Sequence, residues 1–126
     1  MPLITDNAYD AALNYIKNNC NRVDLCHTSE PTTYAEATST YTCANVTVAG
    51  TDFTIGNGDV SGRKLTFNGK TGGSGTANQT GIYLAYTDGS SELLAVTPCS
   101  SQAVTSGATV DFNSYDITEM ADAVTE

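Results

Sequence analysis

Four cysteines and one histidine are the residues in this chain whose chemistry is most specific, and they come as Cys20, Cys26, His27, Cys43 and Cys99. A zinc centre wants closely spaced Cys/His pairs such as C-x2-C, because one turn must present two ligands to one ion. Here Cys20 and Cys26 are separated by five residues and the other two cysteines stand alone. Cys26 and His27 are adjacent, but neighbouring residues of a strand point to opposite faces, so they neither share a metal nor form a thiolate–imidazole dyad. Two roles remain for the thiols. They are buried small apolar groups, or they are disulfide partners (Cys20, Cys26, Cys43, Cys99) that oxidise after release into an oxidising medium, within the chain or to a neighbouring subunit. Four cysteines allow three full internal pairings, and sequence does not choose among them.

Other catalytic and ligand-binding patterns fail on spacing. A Ser-His-Asp arrangement would have to use His27, and no G-x-S-x-G elbow is present. Gly56-Asn57-Gly58-Asp59 has the flavour of a calcium loop but lacks the D-x-[DN]-x-[DN]-G spacing and the closing Glu, and reads as a turn. In Gly69–Ala77 (GKTGGSGTA) the Lys-Thr precedes the glycines, the reverse of a phosphate-binding loop, and the segment reads as a flexible connection. No pair stands out among the fourteen Asp and Glu residues, so they read as a solvated acidic surface. The seven tyrosines are scattered rather than grouped into a sugar-binding face. Asn45-Val46-Thr47 and Asn78-Gln79-Thr80 match the glycosylation sequon but carry no weight without an export signal. The expectation is a non-enzymatic chain with no catalytic residues, no metal site and no cofactor.

The elements that would position any surface are short strands and one helix. Thr5 or Asp6 can cap a helix from about residue 6 to 18, with Tyr9, Leu13 and Ile16 at i, i+4 and i+7, Asp6 and Asp10 near its start and Lys17 near its end. Arg22–Cys26 alternates, with Val23 and Leu25 one way and Asp24 and Cys26 the other. Thr28-Ser29-Glu30-Pro31 breaks the strand, and Thr32–Thr38 fits a helical turn anchored by Tyr34. Tyr41–Val48, the Phe53/Ile55 segment and Arg63–Asn68 read as further strands. The strongest signal is Gly81–Thr97, where Asp88-Gly89 separates the apolar runs Ile82–Thr87 and Leu93–Val96 as in a hairpin. Pro98–Ser101 closes that hairpin. A short strand is expected over Gln102–Val104, another over Ala108–Phe112 and a last one over Tyr115–Met120, before an acidic tail at Ala121–Glu126. The sum is a single domain over residues 1–126, mainly β. An antiparallel sandwich or barrel of seven to eight short strands spans about residues 22–119, with one N-terminal α-helix.

At a net charge of −9, with only five Lys and Arg, the chain would be repelled by phosphate backbones, which excludes direct nucleic-acid binding from the expectation. No apolar run is long enough to span a bilayer, and Met1-Pro2-Leu3-Ile4 lacks the basic start of a secretory signal. The expectation is a chain made in a cytoplasm, without a membrane partner.

Several stretches together resemble small virion structural proteins of tailed bacteriophages. They are the helix ending Ala12-Leu13-Asn14-Tyr15-Ile16-Lys17, then Asp24-Leu25-Cys26 and Pro31–Ala37 (PTTYAEA). Ser61-Gly62-Arg63-Lys64, the segment from Leu84 to Leu94 and Ser101–Gly107 (SQAVTSG) follow. The resemblance runs from about Ala11 to Glu119. It implies a structural particle component located in the virion and synthesised in the host cytoplasm. A capsid decoration, cement or linking protein comes first, and a collar, neck or tail appendage second. The implied partners are the major capsid protein or other virion proteins, and further copies of this chain. A carbohydrate- or receptor-binding module, using exposed tyrosines, is the alternative of another class.

Overall fold

The computed structural model describes residues 5–59 and 62–120, and of Glu119 and Met120 the backbone alone. The expected tail at 121–126 lies outside the described residues. Helix α1 (Asp6–Asn19) begins at Thr5, whose hydroxyl accepts the Ala8 amide at 3.3 Å, and ends where Cys20 turns extended. Tyr9 and Leu13 are buried on its inner face and Ile16 packs beside them. Its outer start is tied down by the Asp10–Arg63 ion pair at 2.8 Å.

Among the described residues nine antiparallel strands follow. A six-stranded sheet has the order β7-β6-β1-β2-β5-β8, formed by β1 (Arg22–Cys26), β2 (Thr42–Thr47), β5 (Lys70–Gly75), β6 (Gln79–Thr87), β7 (Leu93–Val104) and β8 (Thr109–Phe112). A three-stranded sheet has the order β3-β4-β9, formed by β3 (Phe53–Asn57), β4 (Arg63–Phe67) and β9 (Tyr115–Met120). The β-rich fold with one N-terminal helix is as expected. The strand count is higher because Lys70–Gly75 is not a flexible loop. Its glycines sit where side chains have no room: a Cβ on Gly73 would lie 2.6 Å from the Phe112 ring, and one on Gly75 would lie 2.9 Å from Val104 Cγ1. Glycine in a strand often marks such a close approach rather than freedom. The Pro98–Ser101 break is also absent. β7 runs unbroken through Pro98, which an edge strand tolerates because its missing N–H need not meet a neighbour.

The large sheet curls. Gly81 pairs with Gln102 and Tyr83 with Pro98, so Cys99, Ser100 and Ser101 stand opposite Ile82 alone and β7 bends at that bulge. Its end then approaches β8, where the Gln102 amide donates to the Asp111 carbonyl at 3.0 Å, and Gly107 N–H reaches the Gly75 carbonyl at 2.9 Å. The concave side holds the main core, with Val23, Leu25, Leu84 and Tyr86 from the large sheet and Phe53, Leu65 and Phe67 from the small one. Leu25 lies directly over Gly81, where a Cβ would collide with its side chain. Gly81→Ala is therefore expected to cost roughly 1–3 kcal/mol, since a close-packed core has no free space for a methyl. A urea-denaturation midpoint equal to that of the parent chain would contradict this.

The hairpin of β6 and β7 is built locally as expected. Gly89 has φ +76°, and the Asp88 carboxylate accepts the amides of Ser90, Ser91 and Glu92 at 2.8, 2.8 and 3.0 Å. Those bonds hold the Asp88 carboxyl below the ordinary carboxylate range.

Candidate functional site

The convex face of the large sheet carries a buried ion pair. Along β1, Arg22, Asp24 and Cys26 point to this side while Val23 and Leu25 enter the main core. Asp24 is fully buried and Arg22 grips it with two bonds, Nε to Oδ1 at 2.7 Å and Nη2 to Oδ2 at 2.8 Å. Thr42 on the neighbouring strand adds its hydroxyl to Oδ2 at 2.6 Å. Thr42 can reach because the β1–β2 ladder shifts register between Leu25 and Cys26, which turns Thr42 outward and Cys43 into the main core. Burial pushes the Asp24 carboxyl above its ordinary value even though Arg22 and Thr42 pull it down.

Residues 31–41 cover this network. The segment starts at buried Pro31 and contains a π-helical turn, Glu36–Thr40, one residue per turn wider than an α-helix. The expected helical turn is present, displaced toward its C-terminal end. Glu36 secures it by accepting the Thr32 amide and hydroxyl, both at 2.8 Å, which holds its carboxyl below the usual range. Ala37 is wedged against Cys26 and Ala85 in a second apolar cluster, flanked by half-buried Tyr41, Tyr83, Leu93 and Val96. The outer face is thus partly covered, with an apolar margin running toward β7.

β7 is the edge of the large sheet on that side. Leu93–Val104 (LLAVTPCSSQAV) has no charged residue, although the chain as a whole carries −9. Among the described residues no strand pairs with its outer edge. Edge strands are usually blunted by charge, by proline or by a bulge. Here Pro98 and the bulge after it protect the middle, which leaves Leu93–Thr97 as an uncharged edge next to the apolar margin. Glu92, at the start of this edge, is held by the Tyr15 hydroxyl at 2.8 Å, and Tyr15 is 53% exposed.

The other singled-out residues are dispersed. Cys20, Cys26 and Cys43 are buried thiols and Cys99 is half-buried. Burial pushes Cys20 and Cys26 up to about 12 and Cys43 up to about 11, so none is a ready nucleophile at neutral pH. Their Sγ atoms donate to the carbonyls of Arg22, Ala37 and Leu25 respectively, at 3.6, 3.4 and 3.3 Å. His27 rests edge-on against Tyr41, with ring centroids 6.4 Å apart, and its Nδ1 lies 2.6 Å from the Thr28 hydroxyl. Among the described residues no group of three His, Cys, Asp or Glu side chains could hold a metal ion. In the calcium-loop-like stretch, Asn57 accepts from Arg63 at 2.8 Å and Asp59 pairs with Lys64 at 2.7 Å. The glycine-rich strand β5 does line a shallow polar groove of about 280 Å³ with Asn45, Thr47, Lys70 and Ser74. Its lysine is turned to Asp52, at 3.1 Å. Tyr9 and Tyr86 lie in the core, and Tyr34, Tyr41, Tyr83 and Tyr115 are half-buried, so the tyrosines do not form one exposed face.

Sequence reasoning missed the buried ion pair. Its signal was present as opposite charges at i and i+2 in a strand, which places Arg22 and Asp24 on one face. No helix among the described residues is long and apolar enough to cross a membrane. The chain matches no model of a known protein family, no curated protein sequence and no solved structure.

Proposed function

We propose that this chain is a non-enzymatic structural component of a tailed-phage particle, one that decorates or links the capsid shell through contacts with the major capsid protein and with its own copies. The observation that carries this reading is the uncharged β7 edge on an otherwise acidic molecule. An unpaired edge offers a row of backbone donors and acceptors to a neighbour, and the apolar margin of Tyr83, Leu93 and Val96 beside it gives that neighbour area to bury. The sequence resemblance to tailed-phage virion proteins supplies the kind of assembly. The acidic remainder of the surface keeps the free subunit soluble and suits a basic partner surface.

The test is quantitative mass spectrometry of gradient-purified particles of the encoding phage. The expected result is a fixed, high ratio of this chain to the major capsid protein that survives repeated banding. Recovery only in the soluble lysate fraction sinks the proposal. A low, unvarying copy number would place the chain at a neck or tail instead.

A further inference from the structure

We infer that the groove between β2 and β5 is a binding site for a neutral saccharide ring. The groove exists because a β-ladder stops early. β2 and β5 pair only Ala44 with Gly75 and Asn45 with Ser74, although both strands run further. Continuing that register would set Gly72 against Thr47. Instead β5 shifts register against β8 between Lys70 and Gly73, and Gly72 turns to φ +80°. The Gly72 N–H then donates to Asp111 Oδ1 at 3.3 Å. On the other side of β2, Val48 N–H bonds to the Asn21 carbonyl at 3.0 Å. Backbone direction alternates along a strand, so Thr47 turns its N–H and C=O toward the place that β5 has left.

Side chains converge on the same gap. Asn45 stands opposite Asp24 and Thr47 opposite Arg22 in the β1–β2 ladder, so both lie on the convex face, and Ser74 stands opposite Asn45 in the β2–β5 ladder. Lys70 and the exposed Thr71 complete the lining. Among the described residues, the side chains of Asn45, Thr47, Thr71 and Ser74 have no protein hydrogen-bond partner. The Asn45-Val46-Thr47 stretch that matches a glycosylation sequon is thus one wall of the groove, with its two polar side chains on one strand face.

The chemistry of the lining selects the ligand class. Lys70 brings a positive charge, but Asp52 holds it at 3.1 Å, and the Asp111 carboxylate already takes the Gly72 N–H. An anion would meet a carboxylate at each of these donors. An apolar ligand would strip water from the carboxamide, the hydroxyls and the Thr47 main chain without replacing its bonds. Sugar hydroxyls both donate and accept, as the Asn45 carboxamide and the Thr47, Thr71 and Ser74 hydroxyls require. The Thr47 and Thr71 methyls, and Gly72 with open space beside its α-carbon, offer the C–H face of a ring apolar contact. The groove is separated from the β7 edge by β6, β1 and β2, so this inference does not rest on the proposed assembly role.

The full-length, isotope-labelled chain is titrated separately with glucose, galactose, mannose, N-acetylglucosamine and inorganic phosphate, and its amide NMR signals are followed. The expected result is saturable shifts with at least one sugar at the Thr47, Thr71 and Gly72 amides and the Asn45 side-chain amide. A Kd of about 1–10 mM suits a small ligand with few polar contacts. Thr47→Val and Thr71→Val each remove one hydroxyl at an exposed strand position that favours β-branched residues, and each should weaken binding about 2- to 10-fold. Tyr15→Phe, on the helix, should leave binding unchanged. Unperturbed amides away from each substitution show that the variant is folded. No saturable shift with any of these sugars overturns the inference. So does a response to phosphate alone, which makes the groove an anion site. Sugar-induced shifts centred on Tyr41 and Tyr83 overturn it too, because they place the saccharide on the apolar margin. None of these outcomes bears on particle location, which the copy-number measurement decides separately.

Discussion

Arg22→Ala is expected to destabilise the fold by about 3–5 kcal/mol at neutral pH, more than Asp24→Asn, although both remove the same ion pair. The asymmetry follows from burial. The Arg22 side chain is 31% exposed and can return to water, whereas the Asp24 side chain is 0% exposed and would be left as an unpaired charge under residues 31–41. Asp24→Asn removes the charge with its partner still solvated, and should cost roughly 1–3 kcal/mol for weakened bonds to Arg22 and Thr42. The two variants should also differ in pH dependence. Burial raises the Asp24 carboxyl in the folded chain, so the folded state holds its proton to higher pH than the unfolded state does. The stability from that proton is fully present below the unfolded carboxyl value of about 3.9 and is lost as pH rises through the folded value. Removing Arg22 raises the folded value further and widens that window. The Arg22→Ala deficit should therefore be small near pH 3 and grow toward pH 7, while Asp24→Asn should flatten the wild-type decline. Urea unfolding across that pH range measures both. A deficit for Arg22→Ala that does not change with pH would show that Asp24 does not carry the effect.

The second large effect belongs to Phe67, which joins the two sheets. It is fully buried, and its ring centroid lies 5.5 Å from that of Phe53 in the small sheet and 5.8 Å from that of Tyr86 in the large one. Tyr86 is itself anchored by a hydroxyl contact to Thr97 at 3.2 Å. Phe67→Ala removes one member of this aromatic triad, in which Phe53 and Tyr86 also meet at 6.4 Å, and should cost about 3–5 kcal/mol, the sum of lost transfer energy and an unfilled cavity. Near-ultraviolet circular dichroism should lose the tyrosine signal before far-ultraviolet strand content falls, because Tyr86 loses the wall that fixes its ring. If the denaturation midpoint moves by less than a large core truncation requires, the sheets are held by something other than this contact.

These two positions differ in how much of their role can be read along the chain. The apolar alternation of Leu65 and Phe67 marks them as core residues, and the i, i+2 spacing of Arg22 and Asp24 puts them on one face. Neither pattern says that Phe67 meets a strand of another sheet, or that Asp24 loses all contact with water. Those facts come from partners distant in sequence. The glycine-rich Lys70–Gly75 stretch shows the same gap. Its composition has the look of a loop, and only Phe112, Val104 and the curl of the sheet explain why glycine is needed in a paired strand.

Sequence by itself determined the local units. Thr5 and the Tyr9-Leu13-Ile16 stripe specify α1, Asp88-Gly89 specifies the hairpin turn, and alternation specifies β1, β3, β4 and β6, because each depends on bonds and dihedral preferences within a few residues. The tertiary structure decided the rest: the continuity of β7 through Pro98, its place as an uncharged edge, the burial of Asp24 beneath residues 31–41, and the sorting of the cysteines between two faces. Each of these depends on which strand lies next to which. That ordering is set by cooperative packing of the whole core, where a one-residue bulge such as that beside Cys26 reverses which side chains face inward.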